Sequence, residues 1–346
     1  MSTIMISWFL ITFLLSFVGT KYIAKLALRW RIVDRPASDR KIHNQTKPLL
    51  GGLAIYLSLA LAIGIILLTS RYLTGGQISG WHYFGFLLGG LILMAGGYLD
   101  DRYSLPPWFS IIAPVLAALA AIVFGIEVEK LTNPLGGIIY LAPWVSSLLV
   151  FVWLMAVMYT TKFLDGLDGL ATGVSGMGAF MIMLLSLSIA YFQPDVALLS
   201  ALALGAFLGF FFWNFHPAAV FLGEGGSTFV GYTLGILAVI SGGKLATLLL
   251  VLGIPILDVV WVILRRWSQG GLKQVFKADR KHLHHRLLDL GWSQRRIVLT
   301  YLLVAGAFGT AALFLQSREK FMALVILTLL MIIAAYLLVL HEKKQS

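Results

Sequence analysis

Cysteine is absent from this 346-residue chain, which excludes disulfides and thiolate metal ligands and leaves the redox compartment unreadable. Acidic side chains are scarce: 15 Asp and Glu stand against 26 Lys and Arg, and charged residues of all kinds reach only 12 %. A water-soluble domain of this length carries about a quarter. That deficit excludes a large water-soluble core, and no low-complexity tract, internal repeat or polar second domain interrupts the chain. What is abundant is apolar, at 59 % of residues. The formal charge of +11 fits the excess of cations on one side of a membrane protein and its anionic lipid headgroups better than it fits nucleic acid.

A membrane-spanning helix needs about 20 predominantly apolar residues. Runs near 4–28, 50–69, 83–99, 108–125, 144–161, 171–192, 196–213, 229–241, 245–264, 297–315 and 320–340 approach or meet that length. The pattern predicts an all-α polytopic membrane protein of about ten to eleven transmembrane helices, forming one domain over 1–346. The first run has no basic residues before it and no small-residue cleavage site, so it reads as a span rather than a cleavable signal. Segment 126–143 alternates in polarity around Asn133-Pro134 and Gly136-Gly137, which suggests a short external β-hairpin.

Cations fix the orientation. Alternate loops put 21 of the 26 Lys and Arg on one side, leaving Arg71, Lys130, Lys244, Arg318 and Lys320 on the other. By the positive-inside rule the richer side is cytoplasmic. It also holds the acids that crowd three short loops.

Asp100 and Asp101 close the run ending GGYLDD. Neighbouring helical residues point about 100° apart, so the pair serves one site only at a helix end or turn. There it chelates a cation, divides labour between base and ligand, or simply ends a helix in solvent. Asp165 and Asp168 in DGLDGLA are three apart, and a helical turn would put both carboxylates on one face, within reach of a shared ion. Gly166 and Gly169 beside them leave room for a phosphate at the backbone. Glu224 lies in GEGGS, a glycine-rich stretch suited to offering N–H groups to phosphate oxygens or to placing one carboxylate at a metal. Oxygen ligands of this kind, with substrate phosphates, are what Mg²⁺ takes.

Two basic stretches share that side. In DRKHLHHRLLDLG, His282, His284 and His285 sit among Arg280, Lys281 and Arg286. Zinc is one reading. The excess of cations favours polyphosphate instead, from a nucleotide-sugar or a lipid phosphate. The first loop supplies Arg40, Lys41, His43 and Lys47, either as a second anion-binding wall or as a topogenic signal. Asp258, in PILDVVWVILRR, is an acid inside an apolar run, a functional candidate by default or a packing partner for a base such as Arg265.

In this order, DRPASDRKIH, LDD, FLDGLDGLATG, FLGEGGSTFVG, PILD and DRKHLHHRLLDLG, the motifs over about 30–296 resemble the polyprenyl-phosphate N-acetylhexosamine-1-phosphate transferases, with the cell-wall translocase MraY more distant. The resemblance implies transfer of a sugar 1-phosphate from a UDP-sugar, GlcNAc-1-phosphate for choice, to polyprenyl phosphate with release of UMP. It also implies Mg²⁺ (Mn²⁺ as the alternative) and a multi-pass protein of the plasma (inner) membrane whose site faces the cytoplasm. Asp100, Asp101 and Asp168 take catalytic positions by this match. Asp101, Asp165, Asp168 and Glu224 take the metal's, and Arg40, Lys41, His43, Lys47, Lys162, Arg280, His282, His284, His285 and Arg286 the substrate's. Expected partners are UDP-sugar, polyprenyl phosphate and membrane lipids, without nucleic acid; a homodimer stays open. Two features depart from the pattern: before the DG motif, where relatives carry asparagines, the stretch reads YTTKFLDGLDG with Tyr159 and Lys162, and Glu224 stands where they carry aspartate. Lys162 either binds phosphate or weakens the metal. A scaffold derived from the family and a lipid or solute transporter are the alternatives, the latter disfavoured because the acids gather at one face rather than mid-membrane.

Overall fold

The computed structural model describes every residue except 1, 37–44, 77, 134–135, 243, 272–280 and 346. Each of the eleven apolar runs is helical. In chain order the helices are α1 (Ser2–Arg29), α2 (Gly51–Thr69), α3 (Gly80–Tyr103), α4 (Pro107–Ser110), α5 (Ile112–Val123), α6 (Pro143–Leu164), α7 (Leu170–Leu187), α8 (Pro194–Asn214), α9 (Gly223–Ile240), α10 (Leu245–Val251), α11 (Gly253–Gly270), α12 (Leu283–Asp289), α13 (Gln294–Phe314) and α14 (Ser317–Gln345). Proline opens α4, α6 and α8, at the one helical position where its missing N–H costs nothing.

Not every run gives a helix that meets the length and polarity of a span among the described residues. Among the described residues seven helices are long and apolar enough to cross a membrane. The pair α10–α11, bent by 79°, makes an eighth if it is one span. Run 108–125 yields only a shorter apolar helix, Pro107–Val123. Run 229–241 is the apolar part of α9, which starts in the polar GEGGST and is buried along nearly its whole length. Its hydrophobicity serves packing against protein rather than lipid, a distinction that run length does not carry.

The hairpin forms as expected: β1 (Val33–Asp34) and β2 (Lys47–Pro48) make one two-stranded ladder, and β3 (Lys130–Thr132) and β4 (Ile138–Tyr140) make the other, in the register Lys130↔Tyr140, Leu131↔Ile139 and Thr132↔Ile138. Asn133 begins its turn, donating to Gly137 O at 3.0 Å; Pro134 lies outside the described residues.

Helix α9 sits at the centre, against α2, α3, α6 and α7. Lipid is as apolar as leucine, so close packing and interhelical hydrogen bonds hold such a bundle. Both are present. Glycines bring backbones together: a Cβ at Gly52 would lie 2.0 Å from Gly226 Cα, and one at Gly97 2.1 Å from Gly225 N. Trp153 Nε1 donates to Gly235 O (3.0 Å), Thr161 Oγ1 to Ser227 O (2.8 Å) and Tyr232 Oη to Gly85 O (3.1 Å). The first loop is stitched to the residues before α9, with Gly51 N on Phe221 O (3.0 Å) and Phe221 N on Pro48 O (2.9 Å). The C-terminal ends of α3 and α6 and the N-terminal ends of α2, α7 and α9 therefore meet at one end of the bundle.

Candidate active site

That meeting of helix ends encloses a cleft of about 900 Å³. Five carboxylates line it (Asp34, Asp101, Asp165, Asp168, Glu224) against two lysines, Lys47 and Lys162, with His216 and His285. So much like charge in one place requires compensation, and the acids differ in how they receive it.

Asp101, in the last turn of α3, accepts the backbone N–H of Glu224 on both oxygens, at 3.1 and 3.2 Å. This is one of the orphan donors of the first turn of α9, where the helix dipole also favours an anion. Gly223 makes the approach possible. Its φ is +75°, and a Cβ there would stand 2.5 Å from Asp101 Oδ2. The GEGGS glycines are thus not a free phosphate-cradling loop, as the sequence suggested. They begin a helix, and their bareness is used by Asp101 and by the α2 and α3 backbones.

Asp100 points elsewhere. It accepts the N–H of Leu105 at 2.9 Å and lies 3.5 Å from Ser110 Oγ, closing the turn into α4, and it is not on the cleft wall. Of the adjacent pair, one carboxylate faces the cavity and the other ties down the chain.

The DGLDG segment is a turn between α6 and α7 rather than helix, so Asp165 and Asp168 do not share a helical face. Asp168 accepts from His216 Nδ1 at 2.8 Å and from Ala218 N at 3.0 Å. Asn214 secures the turn, accepting Gly169 N (3.1 Å) and Thr172 Oγ1 (3.0 Å) while donating to Val220 O (3.0 Å). Asp165 accepts no hydrogen bond from a described residue. Burial, reinforced by the carboxylates of Glu224, Asp101 and Asp168, pushes its carboxyl well above the ordinary range. It is the one acid of the cleft most in want of a cation.

Space beside Gly166 belongs to imidazole rather than to phosphate: a Cβ there would meet His284 Nε2 at 2.6 Å and His285 Nε2 at 3.2 Å. The three histidines take three roles. His282 is held by Asp258, Nδ1 to Oδ2 at 2.8 Å, while Asp258 Oδ1 accepts Leu283 N at 2.9 Å; its ring stacks on Phe163 at 5.6 Å. The basic partner of Asp258 is thus the histidine motif. His284 is buried, and neither ring nitrogen has a hydrogen-bond partner among the described residues. Burial first, then His285 and His282, pushes its pKa far down, against the cationic role the sequence suggested. His285 alone of the three lines the cleft.

Arg286 lies outside the cleft, against a separate groove it shares with Asp258 and Lys281. From the first loop, Lys47 reaches the wall, while Arg40, Lys41 and His43, like Arg280, lie outside the described residues. Lys162 and Glu224, one from each of the two departures from the family pattern, form an ion pair with each other. Sequence reasoning missed His216 and Asn214. The available signal was the polar NFHP at the end of an apolar run, on the same side as the acids.

Among the described residues, no group of three or more His, Asp or Glu is arranged to hold a metal ion. The acids are mostly committed to protein donors, and Asp165 is the exception.

Bilayer-length helices whose ends close around one acid- and lysine-lined cleft define a multi-pass membrane protein with its chemistry at the membrane surface. The sequence model of glycosyl transferase family 4 matches residues 83–242, the stretch that supplies Asp101, Lys162, Asp165, Asp168, His216 and Glu224. The chain is 31 % identical over 331 residues to a probable undecaprenyl-phosphate N-acetylglucosaminyl 1-phosphate transferase of Bacillus subtilis, covering 94 % of this chain and 88 % of that one. It is 32 % identical to a decaprenyl-phosphate N-acetylglucosaminephosphotransferase of Mycolicibacterium smegmatis (86 % and 79 % covered). It is 30 % identical to a phospho-N-acetylmuramoyl-pentapeptide-transferase of Desulforudis audaxviator (88 % and 96 %). The chain belongs to this family of polyprenyl-phosphate sugar-1-phosphate transferases.

Proposed function

We propose that this protein transfers GlcNAc-1-phosphate from UDP-GlcNAc, or a closely related N-acetylhexosamine from its UDP-sugar, to a polyprenyl phosphate and releases UMP, as a first membrane step of envelope glycan synthesis. The observation that carries the reading is Asp165: a carboxylate without a donor among the described residues, in a cleft of about 900 Å³ where the helix ends meet, in a chain whose relatives bear the names above. The cation bias of 21 to 5 supports a cleft open to the cytoplasm, where nucleotide-sugars are made, in a plasma-membrane protein.

An oxygen of the lipid phosphate attacks the β-phosphorus of the UDP-sugar. The new P–O bond forms as the bond from that phosphorus to the bridging oxygen breaks, and UMP departs with the electron pair. A phosphate monoester is largely dianionic at neutral pH, so no protein base has to take a proton. That agrees with Asp100 lying outside the cleft. The work left to the residues is positioning and charge neutralisation. Lys47 and Lys162 line the cleft as cations for the phosphates, and His285 lines it beside the Gly166 turn. His216 and the Ala218 N–H hold Asp168, which keeps the turn carrying Asp165 in register with the cleft.

Asp165 and Asp101 are the residues that would hold Mg²⁺, or Mn²⁺ in its place, since the smaller ion takes one or two carboxylates with substrate phosphates. Such an ion would neutralise charge on the diphosphate.

The test is UMP release by the purified protein in detergent with undecaprenyl phosphate and a panel of UDP-sugars. Lipid-dependent release that EDTA stops is the expected result. No release with any UDP-sugar from a folded sample would refute the reading.

A further inference from the structure

Helix α6 ends in a line of three charged residues: Lys162, then Asp165, then Asp168 across the turn. All three reach the cleft, but they are not equivalent. Lys162 Nζ is bound to Glu224 Oε1 across the cleft, and it lies 5.3 Å from the centroid of the Tyr159 ring, one turn back on its own helix. Ser110 Oγ, 3.2 Å away, is a second donor to the same Glu224 oxygen. Glu224 is therefore already neutralised by a full positive charge, unlike Asp101 and Asp168. Asp101 has only a backbone N–H and Asp168 has His216 with a backbone N–H.

An ammonium group has three N–H bonds and no acceptor. Glu224 is its only hydrogen-bond partner among the described residues. The aromatic ring beneath it holds the charge in place without using a donor. Its remaining N–H bonds are available to a ligand in the cleft.

We propose that Lys162 is a resident cation of the site: it takes Glu224 out of the set of carboxylates open to a divalent ion, and it offers its unused N–H bonds to the phosphates of the donor. For the identity of that donor this rests on the transferase reading above. The cleft thus runs on two cations of different origin. One is a side chain of the protein, ion-paired with Glu224, and the other would be taken from solution at Asp165. A lysine is a compact point charge on a flexible stem, able to lean toward a diphosphate without leaving its carboxylate.

The test is a double-mutant cycle read by Mn²⁺ binding to the purified protein without substrates, using the electron paramagnetic resonance of free Mn²⁺, alongside KM for the UDP-sugar. Lys162→Met releases Glu224 and is expected to tighten Mn²⁺ binding more than about threefold, because added ligand charge raises affinity at oxygen sites, while KM rises. Glu224→Gln alone should change Mn²⁺ binding by less than about threefold, since no ligand is removed. In the double variant the gain from Lys162→Met should vanish. Lys162→Arg, which keeps the charge, should match the parent.

Unchanged Mn²⁺ binding in Lys162→Met, a gain that survives in the double variant, or a larger loss in Glu224→Gln would each overturn the proposal. If Lys162→Met does not fold, Lys162→Gln serves the same comparison. The Mn²⁺ readout needs no donor, so it stands even if the parent protein releases no UMP, which would instead refute the transferase reading.

Discussion

His282 Nδ1 lies 2.8 Å from Asp258 Oδ2, and the other oxygen of the same carboxylate accepts the N–H of Leu283 at 2.9 Å. One acid, 24 residues earlier on α11, fixes both the ring of the first histidine and the start of the helix that carries the next two. An ionised Asp258 favours the tautomer in which Nδ1 donates to it. Asp258 has no place on the cleft wall, so it acts through the histidines.

Replacing it with alanine strands two buried donors, at about 1–3 kcal/mol each. Asp258→Ala is expected to lower the melting temperature in detergent and to raise KM for the UDP-sugar. Asp258→Asn keeps an acceptor for Leu283 and should recover much of the stability. Equal stability of Asp258→Ala and the parent would show that the pair carries no structural load.

The acids of the cleft should separate by substitution. Asp165→Asn is expected to cost at least about a hundredfold in kcat, the scale of losing one preorganised electrostatic partner at the reacting phosphates. Asp100→Ala, away from the cleft, removes the acceptor of Leu105 and should cost about 1 kcal/mol of stability while UMP release stays measurable. Loss of all turnover in Asp100→Ala, with the melting temperature unchanged, would put that residue back in the chemistry.

Gly223→Ala tests how Asp101 is seated. The left-handed backbone alone makes alanine unfavourable by about 1–2 kcal/mol, and the new methyl would stand only 2.5 Å from Asp101 Oδ2. Both stability and turnover should fall together. The adjacent Glu224→Asp substitution, which leaves that backbone untouched, should change turnover without the loss of stability.

A pH signature is expected at the opposite end of the bundle. Lys244 is buried, donating to Gln193 Oε1 at 2.6 Å and Ser186 Oγ at 3.2 Å. Burial, with Lys320 nearby and Asp195 only partly offsetting it, pushes its pKa down to about 8. The folded state therefore prefers the neutral amine. Below about pH 8 the charged form costs stability, and that cost is relieved as pH rises from about 8 toward the free-lysine value near 10.5. The melting temperature of the parent, measured against Lys244→Met, should climb across that window. A constant difference from pH 7 to pH 10 would mean that the buried amine does not titrate there.

Periodicity and length made the helices legible, because an apolar run of bilayer length has few alternatives. The hairpin at Lys130–Tyr140 was legible from alternation and turn residues, and the gathering of acids at one end followed from the cation count. Partner choice was not. Asp100 and Asp101 look identical in sequence, and only the direction of each side chain at the end of α3 sends one to Leu105 and the other to Glu224, 123 residues away. His284 reads as a cation among cations until its burial is known. His216 is a lone histidine in sequence, and it matters because the α8–α9 connection folds back on Asp168. Whether α9 faces lipid or protein was equally hidden, since both environments suit the same residues.

The glycine contacts around α9 carry a thermodynamic consequence. Gly52 and Gly97 set main chain directly against Gly226 and Gly225, with no rotamers in between to be frozen when a ligand arrives. The rim that bears Glu224 and seats Asp101 is therefore ordered before binding. A ligand entering it surrenders its own freedom but not the rim's, so the enthalpy of its phosphate contacts reaches the affinity with little lost to arranging the protein.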